Sequence, residues 1–377
     1  MKRHRLRRLC CLALALALAA LPGCGGRESV PQTEYTRYTV QFYDTFDTVI
    51  QVIGYTETQE EFEGYADAIH NRFIELSRLY DRFYEYTGIN NIRTINLNAG
   101  IQPVEVEEEI LDMLEFAKEW CEKSDGRVNI AMGPVLEVWH GYMAAYAGTT
   151  VEPGPGVLPT QEELEAATAH TDLSKVIIDR EAGTVYLEEP EMSLDLGAVA
   201  KGYATELVCQ QLYAEGFTSF AMSSGGNVRV MDAPADGSRT AWVVGLQDPA
   251  AGMEVGASVD AVIGNDLSIV TSGDYQRYYT VDGVRYPHII DPDTLWPADY
   301  FSSVTILCPD SGKADCLSTG IFCMPLEQGM ELIESLDGVE ALWCTKDGQI
   351  YKSSGFAQYE TQPAPTAEST QTAQSAQ

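Results

Sequence analysis

Two long stretches of the chain place apolar residues at helical spacing. Between residues 60 and 83, and again between 106 and 121, apolar side chains recur in steps of three and four. This spacing predicts two amphipathic helices, each with one buried face. The second should end before the turn residues Asp125 and Gly126. Shorter helices are predicted over residues 198–213, 314–322 and 326–336.

Strands are predicted where β-branched and aromatic residues alternate with polar ones. Residues 37–55 carry this pattern and predict one or two strands. Further strands are predicted at residues 175–178, 184–187, 242–246, 268–271, 278–281, 285–290, 303–307, 342–345 and 349–352. Because strands occur in runs, mixed with helices without strict alternation, we expect an α+β fold with mostly antiparallel sheets. No repeat or internal linker divides residues 37–356, so they form a single predicted unit.

The two ends of the chain differ from this unit in composition. A basic opening and an apolar run over residues 9–21 predict a signal peptide over residues 1–23, because the run is too short to span a bilayer. The segment that ends it, Leu21-Pro22-Gly23-Cys24, resembles a bacterial lipobox. Cys24 would then be lipidated and anchor the protein on the extracytoplasmic face of the membrane, with plain secretion as the alternative. Residues 24–36 predict a tether, and residues 357–377 a disordered polar tail.

The charge of the chain excludes one class of partner. It holds 24 basic and 56 acidic residues, a formal net charge of −32. Removing residues 1–23 leaves 19 basic against 56 acidic residues, or −37. So acidic a surface repels phosphate backbones, and nucleic-acid binding is not expected.

Cysteine spacing argues against a zinc site. Six cysteines remain after Cys24, they form no CxxC pair, and most lie in apolar runs. We expect buried free thiols at Cys121, Cys209, Cys308, Cys316, Cys323 and Cys344.

Two segments could bind phosphate or another ligand through the backbone. Residues 195–204 (DLGAVAKGYA) place small residues and Lys201 at the start of a helix, where an anion is favoured. The alternative is a helix packed on a sheet with a solvated lysine. Residues 222–227 (MSSGGN) offer hydroxyls and free N–H groups after an apolar strand, or form a simple turn.

Two further segments carry groups suited to catalysis and metal binding. Residues 271–275 (TSGDY) occur with a later HIIDP segment that contains His288, although a lone histidine is more often structural. On a helix, Asp315, Ser318 and Thr319 share one face, and their oxygens suit Mg²⁺. The alternative is that Asp315 caps the helix N-terminus.

In order and spacing, these segments resemble the ApbE family of FAD:protein FMN transferases, formerly described as thiamine-biosynthesis lipoproteins. The resemblance covers about residues 38–352 and includes YDRFYEYTGINNIRTINLN from residue 80 and GRVNIAMGPVLEVW from residue 126. It implies an exported enzyme that binds FAD with Mg²⁺, joins FMN through its phosphate to a Thr or Ser hydroxyl of an acceptor protein, and releases AMP. The implied acceptor is a membrane respiratory flavoprotein subunit.

Two alternatives remain at this point. One is an FAD pyrophosphatase that gives FMN and AMP, and the other is a surface lipoprotein that binds flavin without chemistry. The chain keeps candidate metal ligands and a candidate base, which a protein that only binds flavin would not need, and this argues against the flavin-binding lipoprotein.

The resemblance also implies roles for individual residues. His288 would be the base for the incoming hydroxyl, with Asp315 and Lys201 as the other catalytic residues. The implied metal ligands are Ala198 (through its carbonyl), Asp315, Ser318 and Thr319. The implied FAD contacts are Phe83, Val128, Asn129, Asp195, Lys201, Ser223, Ser224, Gly225, Gly226, His288 and Ile289.

Two positions depart from the family pattern. Leu295 stands where the family often has glycine, so the conformation of the turn after HIIDP is not fixed by the family pattern. Val128-Asn129 stands in place of Phe-Asp, which removes a carboxylate.

Overall fold

The computed structural model describes residues 34–251 and 257–361. The predicted signal peptide, Cys24, most of the predicted tether and residues 362–377 lie outside the described residues. From Tyr35 onward the chain belongs to one unit. Within the described ranges, no helix is long and apolar enough to cross a membrane.

Helices and strands are interspersed along the described chain. The helices are α1 Gln59–Leu79, α2 Ile92–Leu97, α3 Glu108–Lys123, α4 Gly133–Tyr146, α5 Gln161–Thr168, α6 Ala200–Ala214, α7 Ser311–Phe322 and α8 Leu326–Glu334. The strands are β1 Thr36–Thr45, β2 Thr48–Thr56, β3 Val104–Glu105, β4 Thr150–Val151, β5 Val176–Asp179, β6 Thr184–Leu187, β7 Phe220–Ser224, β8 Asn227–Met231, β9 Trp242–Gln247, β10 Ser258–Gly264, β11 Leu267–Gly273, β12 Tyr278–Val281, β13 Val284–Pro287, β14 Phe301–Cys308, β15 Glu340–Thr345 and β16 Ile350–Lys352.

The main sheet has eight strands in the order β1-β2-β7-β8-β11-β14-β15-β16. Every neighbouring pair in it is antiparallel. Three small sheets accompany it, with strand orders β10-β9, β13-β12-β4 and β3-β6-β5. The prediction of an α+β fold with mostly antiparallel sheets is confirmed.

Helices α1, α3, α6 and α7 contribute to the largest apolar core together with strands of the main sheet. Phe73 of α1, Leu114 of α3, Val208 of α6 and Leu317 of α7 are all at most 1% exposed in this cluster. A second cluster joins the main sheet to β9 through Trp242 and Leu246. Because α6 and α7 pack side by side in the large core, the polar residues at their ends are held at fixed positions.

Several boundaries differ from the sequence predictions. Helix α1 ends at Leu79 rather than 83, because the Asp81 carboxylate accepts the N–H groups of Phe83 (2.6 Å) and Tyr84 (3.2 Å) and forms a turn. Helices α2, α4 and α5 were not predicted. At the other end, the N–H of Thr361 donates to the carbonyl of Ala261 (2.9 Å), so the fold reaches 361 instead of ending at 356.

The six cysteines of the described chain are free and buried, as the sequence predicted. Desolvation raises the pKa of each, to about 12 for Cys308, and therefore holds the thiols in their neutral form.

Candidate active site

Asp195 shapes the turn that leads into α6. One carboxylate oxygen accepts the N–H of Gly197 (2.8 Å), and the N–H of Asp195 donates to the carbonyl of Ile130 (2.9 Å). The other oxygen accepts a hydrogen bond from Arg82, and the Asp195 residue is only 8% exposed. The predicted FAD contact is thus a buried carboxylate that anchors an arginine.

Arg82 and His140 contact the predicted site residues Asp195 and Phe83, and the sequence analysis did not single them out. The Arg82 guanidinium also pairs with Glu137 and lies 5.3 Å from the centroid of the Phe83 ring. His140 places Nε2 4.0 Å from the Asp195 carboxylate, and its ring centroid lies 6.3 Å from that of Phe83. The only signal for Arg82 was its place in the YDRFYEY stretch, and His140 lies within α4, which the sequence did not predict.

Asp315 joins α7 to the start of α6. Its carboxylate, in a residue that is 4% exposed, accepts the N–H of Gly202 at 2.7 Å. Gly202 lies in the first turn of α6, whose N–H groups have no partner within the helix. The alternative that Asp315 caps α7 is wrong, because Asp310 is the N-cap and accepts the N–H of Lys313 (2.8 Å).

The other predicted metal ligands lie on α7 or just before α6. The Ser318 hydroxyl donates to the carbonyl of Asp315 (3.0 Å) and hydrogen-bonds the Ser272 hydroxyl of β11 (2.9 Å). Thr319 follows one turn after Asp315 and is half-buried. Ala198 lies four residues before Gly202, and the N–H that a regular helix would donate to its carbonyl goes to Asp315 instead.

By chemical type, these oxygens are donors that suit Mg²⁺. One carboxylate, two hydroxyls and a carbonyl are hard ligands, and Mg²⁺ commonly takes few protein ligands beside substrate phosphates. Over residues 34–251 and 257–361, no group of three or more His, Cys, Asp or Glu side chains is arranged to hold a metal. Of the four predicted ligands, only Asp315 has a charged side chain.

Lys201 lies beside this set and adds positive charge to the start of α6. Its ammonium donates to the carbonyl of Gly197 at 3.1 Å, so the Lys201 side chain folds back toward the turn that precedes α6.

The segment from Ser223 to Asn227 is a β-hairpin turn with unsatisfied polar atoms. Gly225 (φ 59°) and Gly226 (φ 102°) form its two-residue loop, and a Cβ on Gly225 would lie 2.1 Å from Oγ1 of Thr48. Ser224 and Asn227, which face each other across the hairpin, are both 2% exposed. Their Oγ and Nδ2 atoms are buried without a hydrogen-bond partner. Such atoms require a water or a ligand, so the hairpin offers more than a turn.

His288, the predicted base, is a neutral imidazole whose ring is influenced by the charge of Lys201. Its Nδ1 lies 3.3 Å from the carbonyl of Arg277, which can only accept, so Nδ1 carries the proton and Nε2 keeps its lone pair. His288 is an exposed residue, but Arg277 and Lys201 lie close enough for their charges to act on its ring. Desolvation, followed by the charges of Arg277 and Lys201, lowers the pKa of His288 to about 4. Desolvation likewise lowers the pKa of His140.

The remaining predicted FAD contacts differ in accessibility. Phe83 is 62% exposed, whereas Val128 (1%) and Ile289 (7%) lie in the apolar core. Asn129 accepts the N–H of Ala131 (2.8 Å) and donates to the carbonyl of Thr171 (3.0 Å), so both ends of its amide have protein partners. The roles of these four residues toward FAD stay predictions.

Leu295 takes the backbone conformation that glycine would normally supply. Its φ is 64°, in the left-handed region. The N–H of Leu295 donates to the carbonyl of Asp291 (2.8 Å), and the Trp139 indole donates to the carbonyl of Leu295 (2.9 Å). Its side chain is buried, so packing holds a turn that leucine alone disfavours.

Comparison with known proteins places this chain in a family. A family model described as ApbE family matches residues 36–343. An FAD:protein FMN transferase of Treponema pallidum is 31% identical over 91% of this chain and 92% of its own. One of Klebsiella pneumoniae is 30% identical over 76% of this chain and 85% of its own.

Solved structures agree with the sequence comparisons. The crystal structure of the ApbE protein of Thermotoga maritima has a TM-score of 0.74 and 27% identity, over 87% of this chain and all of that one. The flavin transferase ApbE of Vibrio cholerae has a TM-score of 0.70 and 26% identity, over 86% of this chain and all of that one. By fold, by sequence and by the order of its motifs, the chain belongs to the ApbE family.

Proposed function

We propose that this protein, a flavin transferase of the ApbE family, uses Mg²⁺ to transfer FMN from FAD to a Thr or Ser hydroxyl of an acceptor protein, with release of AMP. One observation carries the proposal most directly. The buried carboxylate of Asp315 meets the start of α6 beside Lys201, and the charge of Lys201 acts on the neutral His288. The residues that we propose as anion site, metal anchor and base are therefore linked to one another in the fold, which supports the proposal.

The residues divide the work of phosphoryl transfer. Asp315, with Ser318, Thr319 and the carbonyl of Ala198, would hold the metal. When bound, Mg²⁺ neutralises charge on the transferring phosphoryl group and on its leaving group. Lys201 and the N–H groups at the start of α6 add positive potential for the pyrophosphate.

His288 would accept the proton of the incoming hydroxyl at Nε2. Its lowered pKa keeps this nitrogen unprotonated at neutral pH, and the carbonyl of Arg277 fixes the ring orientation through Nδ1–H. The hydroxyl oxygen then attacks the FMN phosphorus, the bond to the AMP phosphate breaks, and AMP leaves. No protein nucleophile is needed.

Location and acceptor are part of the same proposal. Cys24 in its lipobox-like segment supports a lipid anchor on the extracytoplasmic face of the membrane. A membrane respiratory flavoprotein subunit is the acceptor that such a position favours.

The test is mass spectrometry of a candidate acceptor after incubation with the purified protein, FAD and Mg²⁺. A flavin-phosphate adduct and stoichiometric AMP are expected. Free FMN and AMP without an adduct would instead support the pyrophosphatase, with water as the acceptor at the same site. Bound but unchanged FAD would support a flavin carrier.

A variant tests the metal assignment separately. Asp315→Ala should abolish Mg²⁺-dependent turnover, while Asp67→Ala, which removes an exposed carboxylate on α1, should not change it. Full activity of Asp315→Ala would refute the metal site.

A further inference from the structure

Helices α6 and α7 each supply a carboxylate to the first turn of the other. Asp315 of α7 accepts the N–H of Gly202, and Glu206 of α6 accepts the N–H of Ser311 at 2.8 Å. Ser311 is the first residue of α7, so its N–H also lacks a partner within its own helix. Both bonds are charge-assisted, which makes them stronger than bonds between neutral groups.

The two bonds fix how the helices lie along each other. Gly202 and Glu206 are one turn apart on α6, and Ser311 and Asp315 are one turn apart on α7. As α6 advances from Gly202 to Glu206, its partner on α7 moves back from Asp315 to Ser311, so the pair is antiparallel. A displacement at one bond must therefore also displace the other.

Close packing leaves little slack in this contact. A Cβ on Gly202 would lie 2.3 Å from the carbonyl oxygen of Ser311 and 2.4 Å from Cβ of Asp315. A Cβ on Gly312 would lie 3.2 Å from Cα of Tyr203. The backbones approach this closely because both positions are glycine.

Arg229 of β8 holds Glu206 in place from the sheet. Its Nε donates to the same Glu206 oxygen that accepts Ser311, at 3.1 Å, and its side chain is 4% exposed. Another guanidinium nitrogen donates to the carbonyl of Val230 (2.9 Å), so the arginine is fixed to its own strand. The Glu206 side chain is 14% exposed, and the pair is shielded from solvent.

We propose that Glu206, supported by Arg229, is a positioning residue for the metal site. It holds α7 at the register that places the Asp315 carboxylate against α6, and it thereby sets the affinity for the divalent cation. This inference rests on the proposed role of Asp315. Partners that orient a metal ligand typically change metal affinity or activity by about 10–100-fold when they are mutated.

The experiment compares Glu206→Gln with Glu215→Gln, which changes an exposed carboxylate at the end of the same helix. Mg²⁺ is titrated in the turnover assay, and Mn²⁺ binding is followed by electron paramagnetic resonance in the presence of FMN, which has a phosphate but no pyrophosphate to cleave. Glu206→Gln should raise the half-saturating Mg²⁺ concentration and the Mn²⁺ dissociation constant about 10-fold. Turnover at saturating Mg²⁺ should stay within about threefold of the wild type, and Glu215→Gln should match the wild type.

A second variant keeps the test decisive if the unpaired Arg229 prevents Glu206→Gln from folding. The double variant Glu206→Gln with Arg229→Met removes both charges, which proteins tolerate better than the loss of one. It should fold and show the same weakened metal binding.

The outcomes separate this inference from the proposed function. If a folded Glu206 variant binds Mn²⁺ with wild-type affinity while Asp315→Ala does not bind it, the positioning role of Glu206 is wrong and the metal assignment stands. Wild-type Mn²⁺ affinity in Asp315→Ala overturns the metal assignment and this inference with it.

Discussion

Replacing Gly202 by alanine tests whether the close approach of α6 and α7 is needed. The added Cβ would meet the Ser311 carbonyl oxygen at 2.3 Å and Cβ of Asp315 at 2.4 Å. Ordinary contacts begin at 3.4 Å, so the helices must separate by about 1 Å. Because one of these atoms belongs to the backbone, a side-chain rotation cannot relieve the overlap.

The magnitude follows from three effects. Overpacking of this kind costs about 1–3 kcal/mol. Weakening the bond between the Gly202 N–H and the Asp315 carboxylate costs up to about 1.5–3 kcal/mol. The better helix propensity of alanine returns about 0.5–1 kcal/mol. We therefore expect Gly202→Ala to lower the free energy of unfolding by roughly 1.5–5.5 kcal/mol.

Gly64 provides the matched control. It lies on the exposed side of α1, and a Cβ there would have no atom within 4 Å. Gly64→Ala should therefore raise the free energy of unfolding by about 0.5–1 kcal/mol. Urea denaturation of both variants measures the two effects, and the reasoning predicts opposite signs. Stabilisation by both substitutions would refute the close approach.

Four further predictions concern the rest of the site. If His288 is the base, its pKa of about 4 should place the acid limb of the pH–activity profile near pH 4 and not near pH 6.5. An acid limb near pH 6.5 that disappears in His288→Gln would contradict this prediction. Between pH 6.5 and pH 4 the folded state then binds fewer protons at His288 than the unfolded state does. His288 should therefore reduce the free energy of unfolding as the pH falls through this range. Urea denaturation of the wild type and of His288→Gln at pH 7 and pH 5 measures this effect. Leu295→Gly should be more stable than Leu295→Ala by about 1 kcal/mol in thermal unfolding, since only glycine takes a φ of 64° without cost, and the reverse order would rule out that strain. Phe83→Ala should raise KM for FAD without lowering the melting temperature, because this ring is 62% exposed, and an unchanged KM would remove Phe83 from the site.

The sequence by itself determined most of the secondary structure and the motifs of the site. Periodicity is a local property, and it placed α1, α3, α6 and most strands of the main sheet to within a few residues. It failed where a local hydrogen bond overrode the pattern, as at Asp81, and it missed α4, whose segment has little contrast between its faces. The spacing of Asp315, Ser318 and Thr319 also followed from the sequence, because one helix carries all three.

Only the tertiary structure decided what these residues meet. Asp315 contacts Gly202, which is 113 positions away in the chain, and Ser318 meets Ser272 because the order of strands brings β11 against α7. Burial also distinguishes two residues that the family resemblance predicts as FAD contacts, since Val128 lies in the core and Phe83 is exposed. Such contacts depend on how elements distant in the chain pack together, and a periodic pattern records only that a face is buried, not which side chain covers it.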